Sequence, residues 1–247
     1  MVHECAPDVV INAQALSDVD RCEQAPELAR AMNVQTVTHL VRALERTPAL
    51  FVHVSTDYVF DGAKGRPYTE DDAPHPMSIY GRSKLAGEEL ALGYARALIV
   101  RTSTLFGPGR KNFCDHIVAQ LSASQPVEAF VDQVTSPTYT SDAARAIGEL
   151  VRVLWQADAG ARPRLYHVAN QPGCSRVAFA HRVADLLGSP RELIRAIPMA
   201  AQHRPAPRPA CSALASVHLA RVIGDGLRPW HEALEAYLRE RHWITYT

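Results

Sequence analysis

The chain has 247 residues, of which 47% are hydrophobic, and its 26 lysine and arginine side chains balance 26 aspartates and glutamates. A chain of this size can bury the core of one large α/β domain. Neutral charge with no clustered basic stripe argues against nucleic acid as a partner.

Targeting and membrane segments are not found in the sequence. The first residues lack the charged start and apolar core of a signal peptide, and no apolar run approaches the ~18 residues that span a bilayer. We therefore predict a cytoplasmic protein without a membrane partner.

The five cysteines are widely separated and include no Cys-x-x-Cys pair. This spacing favours reduced thiols over a disulfide framework or a zinc site. The eleven histidines include no His-Glu-x-x-His motif, and we interpret His53 as a strand residue rather than a ligand. The sequence predicts no metal site.

Apolar runs typical of strands alternate with helical patterns in the first part of the chain. Runs that are apolar throughout, such as Leu50-Phe51-Val52, fit a parallel sheet covered by helices on both faces. The predicted elements are a strand at Val9–Ala13, a helix near Pro26–Leu44, a strand at Leu50–Val54, a helix at Tyr80–Tyr94 and a strand at Ala97–Arg101. The sequence thus predicts an α/β fold.

A polar stretch from Asp61 to Met77, rich in glycine and proline, is predicted to be an exposed loop that leads to the Tyr80 helix. Its acidic run Glu70-Asp71-Asp72 has two interpretations. The loop either covers a substrate or is a solvated connector whose acids are surface charge.

The second part of the chain continues the alternation of helices and strands. The Arg204–Pro209 stretch, rich in proline and arginine, is predicted to be a loop. The predicted elements are a helix after Asn112, a strand at Val127–Val131, a helix at Thr140–Trp155, a strand at Tyr166–Ala169 and a closing helix at Trp230–Arg241.

Tyr80 and Lys84 lie four residues apart in a predicted helix, so both side chains fall on one face. A neighbouring ammonium favours the phenolate, and we expect it to lower the pKa of Tyr80. Thr56 directly follows a predicted strand and would hold a carbonyl oxygen. With 3 lysines against 23 arginines in the chain, a lysine at this spacing favours function over an ordinary surface pair. The pattern predicts hydride transfer to a carbonyl.

Longer motifs resemble those of the extended short-chain dehydrogenases/reductases. Ser55-Thr56-Asp57-Tyr58-Val59-Phe60 precedes Tyr80-Gly-Arg-Ser-Lys84-Leu-Ala-Gly-Glu, and matching segments cover nearly the whole chain. Within that superfamily the chain is most similar to the dTDP-4-dehydrorhamnose reductase family. The other matching segments are Pro7–Ala13, Arg101-Thr102-Ser103, Asp132-Gln133, Ser136-Pro137-Thr138, Arg208-Pro209 and Ser212-Ala213-Leu214.

The resemblance implies a Rossmann-like, doubly wound parallel sheet. It implies reduction of the 4-keto group of a nucleotide sugar, such as dTDP-4-dehydrorhamnose, with NADPH or NADH as cofactor. Residues 1–110 would form the cofactor-binding part and residues 111–247 a smaller substrate-binding lobe, with some elements of the latter returning to the sheet. A homodimer is a candidate assembly.

The same resemblance implies roles for individual residues. The implied catalytic residues are Thr56, Tyr80 and Lys84. The implied cofactor-binding residues are Asn12, Ala13, Ala15, Leu16, Ser17, Ser55, Tyr80 and Lys84. The implied substrate-binding residues are Thr56, Asp57, Thr104 and Arg208, although Arg208 also fits an ordinary exposed arginine.

The sequence departs from the family pattern in several places, including Leu16 and Ser17, which differ in type from the commonest family residues. None of the 13 glycines forms the turn that seats a cofactor's pyrophosphate at a helix N-terminus. We therefore expect an N-terminally incomplete sheet with Val9–Ala13 as an open edge, and weak or absent cofactor binding by this chain. Thr104 stands where tryptophan is common, and Gln14 stands where alanine is common. Another 4-keto-deoxysugar therefore stays open as the substrate.

Two other functions stay open from the sequence. One is a non-catalytic, sugar-nucleotide- or dinucleotide-binding regulatory subunit, similar to the methionine adenosyltransferase regulatory beta subunit. The other is an epimerase or dehydratase of the same superfamily, of which dehydration is disfavoured because no glutamate follows Asp57. Turnover of a dTDP-4-keto sugar with NADPH separates an enzyme from a regulatory subunit.

Overall fold

Strands and helices alternate along the first half of the chain, as predicted. The computed structural model describes residues 5–155 and 163–245. The predicted strands and helices of this half are confirmed, although a π-helical turn divides the first predicted helix. The elements are strand β1 (Val9–Asn12), helices α1 (Val19–Gln24) and α2 (Pro26–Arg30), the π-helical turn Ala31–Gln35, helix α3 (Thr36–Leu44), strand β2 (Leu50–Thr56), the 3-10 turn Asp57–Val59, helix α4 (Ile79–Leu92) and strand β3 (Ala97–Thr102).

The second half contains the predicted helices and strands together with several shorter elements. They are strand β4 (Leu105–Phe106), helix α5 (Phe113–Ser122), strands β5 (Val127–Phe130), β6 (Val134–Thr135) and β7 (Thr138–Tyr139), helix α6 (Thr140–Leu154), strands β8 (Leu165–His167) and β9 (Cys174–Ser175), helix α7 (Arg176–Leu187), the 3-10 turn Arg191–Leu193, strand β10 (Ile194–Ile197), the 3-10 turn Met199–Ala201, and helices α8 (Leu219–Ile223) and α9 (Trp230–Glu240).

The central sheet has the strand order β1-β2-β3-β8, and all of its neighbours run parallel. Strand β3 is buried along its whole length, which explains its continuous apolar sequence. Among the residues that the structure describes, β1 pairs on one side only, with β2. The side chain of Ile11 on that strand is about half-exposed, at 51%.

Helices cover both faces of this sheet, as a doubly wound fold requires. Phe51 and Ile99 pack with residues of α3 and α4 on one face. Val52 and Val100, the next residues along the two strands, pack with α6 and α8 on the other. The alternation follows from the period of two along a strand. Helix α6 and strand β8 therefore return from the second half of the chain to the first sheet.

A second core lies among α5, α7 and α9 and the parallel pair β5 and β10. Its centre is aromatic, with Phe106, Phe179 and Tyr237 in edge-on contact. The spacing predicted for the closing helix is confirmed, because Trp230, Leu234, Tyr237 and Leu238 are all buried in this core.

The loop between Asp61 and Met77 is anchored rather than fully solvated, which corrects one of its two interpretations. Glu70 is 7% exposed and accepts hydrogen bonds from the backbone amides of His167 at 3.0 Å and Val217 at 2.9 Å. Burial acts to raise the pKa of Glu70, but these donors outweigh it and the pKa lies below its ordinary value. The carboxylate thus holds the loop against β8.

A buried ion pair joins α4 to β3. The Arg101 Nε donates to Glu88 Oε1 at 3.0 Å, and Nη2 donates to Oε2 at 2.7 Å. Both residues are at most 3% exposed, and the Arg101 guanidinium also lies 5.1 Å from the centre of the Phe60 ring. The helix that carries Tyr80 and Lys84 is therefore held on the sheet by charge as well as by packing.

We predict that Glu88→Gln lowers the free energy of unfolding by about 3–5 kcal/mol, because it leaves the Arg101 charge buried without a counter-charge. Urea unfolding measures the change. The matched control is Glu149→Gln, which breaks an exposed pair with Arg152 and should cost under about 1 kcal/mol. Equal losses of unfolding free energy in the two variants would contradict the role of Glu88 as the counter-charge of a buried Arg101.

Candidate active site

The carboxyl ends of β2 and β3 open into a cleft of about 560 Å³. Thr56 lies opposite Thr102 in the parallel register, so the two strands deliver polar side chains to the same edge. Ligands of open parallel sheets bind at this edge. The cleft also receives Tyr80 and Lys84 from α4.

Helix α4 is placed so that Tyr80 meets the end of β2. The helix begins after Ser78, whose hydroxyl accepts a hydrogen bond from the Gly81 amide at 3.1 Å. Only glycine fits at position 81, because a Cβ there would lie 2.2 Å from the Tyr58 carbonyl oxygen. The Tyr80 ring therefore packs edge-on against the Tyr58 ring, with ring centres 5.9 Å apart.

Lys84 lies one turn further along α4 and is 2% exposed. Its Nζ donates to the Val54 carbonyl oxygen at 2.8 Å and lies 3.4 Å from His53 Nε2. Burial lowers the pKa of Lys84 to about 8, although Glu88 acts in the opposite direction. The amine can therefore exchange its proton near neutral pH.

His53 is a strand residue, as predicted, and it is a neighbour of Lys84 that the sequence did not indicate. Asn12 lies opposite it in the β1–β2 register and donates from Nδ2 to His53 Nδ1 at 3.1 Å. Because Asn12 Oδ1 accepts from the Gln14 amide at 3.2 Å, the orientation of the Asn12 amide assigns the ring proton to His53 Nε2. Burial and the nearby Lys84 lower the pKa of His53 to about 3, so the ring is neutral.

The predicted effect of Lys84 on Tyr80 is wrong in this structure. Burial raises the pKa of the Tyr80 phenol well above its usual range; a hydrogen bond with Thr56 acts against the rise and Asp57 adds to it. The Lys84 amine is directed to the Val54 carbonyl instead of compensating the phenolate. Tyr80 is therefore held in its protonated form.

A buried carboxylate orients Thr56. The Thr56 hydroxyl donates to Asp57 Oδ1 at 3.1 Å and accepts from the Tyr58 amide at 3.2 Å. Asp57 is 2% exposed, and its Oδ2 accepts from Ser103 at 2.7 Å and from Ser212 at 2.5 Å. Burial raises the pKa of Asp57, while these hydroxyls act to lower it. The structure thus places the predicted substrate residue Asp57 behind Thr56, and neither of these two residues is part of the cleft lining.

The residues predicted to bind cofactor divide into two groups. Asn12 and Leu16 do not line the cleft: the Asn12 side chain faces His53, and the Leu16 amide donates to Asn33 Oδ1 at 2.8 Å. The others line it together with the predicted substrate residue Thr104, namely Ala13, Ala15, Ser17, Ser55, Tyr80 and Lys84. The small side chains in this group leave room beside Lys84.

The predicted substrate residue Arg208 does not line the cleft that contains Tyr80. Its guanidinium donates to both carboxylate oxygens of Asp20, at 2.6 and 2.7 Å. It lines a separate cavity of about 210 Å³ with Phe130 and Arg204. The interpretation of Arg208 as an ordinary exposed arginine is wrong, because its side chain is only 11% exposed.

Sequence reasoning missed several residues that line the cleft, namely Arg110, Lys111, Asn112, Phe113, Thr140 and Arg176. One of them carried a local signal. Asn112 and Asp115 form a reciprocal capping box at the start of α5, a spacing that is readable in the sequence. No residue pattern marks Arg176, because only the tertiary structure brings α7 to the cleft.

A family model described as the RmlD substrate binding domain matches residues 1–242. The chain belongs to this family. The resemblance to the dTDP-4-dehydrorhamnose reductases is confirmed by a relative of that name from Mycobacterium tuberculosis, which is 40% identical over 237 residues. The match covers 94% of this chain and 76% of the relative.

Solved structures of RmlD relatives have the same fold. A dTDP-4-dehydrorhamnose reductase from Clostridium acetobutylicum has a TM-score of 0.89 at 32% identity, over 98% of this chain and 83% of that one. A reductase of the same name from Bacillus anthracis, solved in complex with NADP, has a TM-score of 0.88 at 29% identity, over 97% and 83% of the two chains. The predicted α/β, Rossmann-like fold is confirmed.

Within residues 5–155 and 163–245, no group of three or more His, Cys, Asp or Glu side chains is placed to hold a metal ion. No helix in the same part of the chain is both long enough and apolar enough to cross a bilayer. All five cysteines carry free thiols.

Proposed function

We propose that the protein is an NADPH- or NADH-dependent oxidoreductase that reduces the 4-keto group of a dTDP-4-dehydro-6-deoxy sugar such as dTDP-4-dehydrorhamnose. The observation that carries the proposal is the placement of Tyr80 and Lys84 beside the end of β2, at the ligand-binding edge of the sheet. The names of the relatives and the NADP complex of the Bacillus anthracis reductase support it.

The residues along the cleft fit a nicotinamide cofactor. Lys84 uses one N–H on the Val54 carbonyl, which leaves the others for ribose hydroxyls. Ala13, Ala15 and Ser17 leave space for a flat ring. When bound, the reduced cofactor supplies the hydride that the carbonyl carbon receives.

Tyr80 would act as the acid of the reaction. A raised pKa keeps the phenol protonated, and reduction of a ketone needs a proton at the oxygen as hydride reaches the carbon. The Thr56 hydroxyl gives its hydrogen to Asp57, so it offers a lone pair to the Tyr80 hydroxyl in the free protein. With substrate bound, the Tyr80 proton would pass to the keto oxygen, and Lys84, whose pKa is near 8, would return a proton to the phenolate after turnover.

Assembly, location and domain roles belong to the same proposal. We propose a cytoplasmic protein that forms a homodimer, with residues 1–110 binding cofactor and residues 111–247 mainly binding substrate. The separate aromatic core of α5, α7 and α9 supports the division.

We predict that Tyr80→Phe lowers kcat for dTDP-4-dehydrorhamnose by about 10²- to 10⁴-fold, because it removes the proton donor and leaves the ring. Cofactor affinity should stay near that of the wild type. The matched control is Tyr94→Phe on the segment after α4, whose hydroxyl donates to the Thr47 and Ala49 carbonyls, away from the cleft. A Tyr80→Phe enzyme with full activity would exclude the proposed mechanism.

We predict that kcat/KM falls as pH rises through about 8, where Lys84 loses its proton. The sign follows from the protonated amine being the active form in reduction. In Lys84→Arg the side chain stays charged far above this range, so the fall near pH 8 should disappear from the pH–rate profile, although kcat is lower. A wild-type pH–rate profile that is flat through pH 8 would contradict this role of Lys84. A fall near pH 8 that persists in Lys84→Arg would show that another group titrates there.

A further inference from the structure

Arg176 stands at the junction of two cavities. It is the first residue of α7, and it lines both the cleft that contains Tyr80 and a second cavity of about 260 Å³. Phe113 lines the same two cavities, and the Arg176 guanidinium lies 5.0 Å from the centre of its ring. The two side chains thus form the wall that the cavities share.

The charge of Arg176 has no counter-charge in the described parts of the chain. No ion pair involves its guanidinium among residues 5–155 and 163–245. Asp57, a carboxylate whose charge acts on Arg176, already accepts hydrogen bonds from three hydroxyls. A guanidinium in a cleft without an anion is costly unless a ligand supplies one.

Two other arginines, both lining the cavity beside Phe130, are already engaged. Arg208 is paired through both of its terminal nitrogens with Asp20. Arg204 stacks on the Phe130 ring at 4.6 Å and donates to Gln202. Arg176 is therefore the arginine of the three that has its planar donor set available for a bidentate oxyanion.

We propose that Arg176 binds the diphosphate of a nucleoside-diphosphate sugar that spans both cavities. The sugar would lie beside Tyr80, and the nucleoside would lie in the second cavity, beside Phe130 and Arg204. This inference rests on the proposed function and deepens it. It assigns a substrate contact to Arg176, a residue that the sequence resemblance did not mark.

The second cavity supports this direction for the ligand. It is lined by an aromatic ring, Phe130, and by amide side chains of Gln133 and Gln202, which suit a flat base with polar edges. The backbone amide of Arg176 donates to the Gln133 carbonyl at 3.2 Å, so the residue is fixed to the same wall. Glu128 also lines the cavity, and its carboxylate accepts a hydrogen bond from Gln202 at 3.3 Å.

The test is calorimetric titration of the full chain with dTDP, with thymidine and with NADP⁺. In Arg176→Gln we expect the affinity for dTDP to fall by about 10- to 100-fold, the loss of a charge-assisted bidentate contact, with thymidine unchanged. The dTDP affinity of Arg176→Lys should lie between those of the wild type and Arg176→Gln. The matched control is Arg195→Gln, an exposed arginine on β10, which should change dTDP affinity by less than about 3-fold.

Each outcome decides the assignment. Equal dTDP affinity in wild type and Arg176→Gln, or a wild type that binds no dTDP, overturns it. A loss confined to NADP⁺ also overturns it, because the diphosphate would then be the cofactor's. A variant with a lowered urea midpoint is replaced by Arg176→Met before comparison. Binding of dTDP through Arg176 without any reduction of the keto sugar would instead refute the proposed function and leave this assignment standing.

Discussion

The packing of helix α4 on strands β2 and β3 is the constraint on which the rest of the site depends. Gly81 lets the helix touch the chain after β2, and the ion pair of Glu88 with Arg101 ties its middle to β3. Between these two points Lys84 reaches under the end of β2 to the Val54 carbonyl. The positions of Tyr80 and Lys84 follow from these contacts, and so does the burial of Lys84.

Burial shifts the pKa values of Tyr80 and Lys84 in opposite directions, but both shifts favour the neutral form of the side chain. It raises the pKa of the Tyr80 phenol and lowers that of the Lys84 amine, because a low-dielectric surrounding favours the neutral form of both. The spacing of the two residues suggested that the Lys84 charge would determine the pKa of Tyr80. Desolvation determines it instead. Tyr80 is therefore an acid that keeps its proton, beside a Lys84 amine that can replace it.

The sequence was sufficient to predict the features that short-range periodicity determines. Apolar runs located the central strands, and the spacing of Tyr80 and Lys84 placed both on one face of a helix that the structure contains. It did not suffice where distant segments meet. The role of Glu70 stayed open because its amide partners His167 and Val217 lie 97 and 147 residues further on. Arg176 carried no signal because only folding brings it to Phe113.

The contact of Asn12 with His53 carries a consequence that reaches beyond either residue. Asn12 belongs to β1, which pairs only with β2 in the described structure, and His53 touches the amine of Lys84. A slip of β1 by one residue would turn Asn12 to the other face of the sheet and free the His53 ring to change tautomer. The tautomer of the ring beside Lys84 thus depends on the register of β1 against β2.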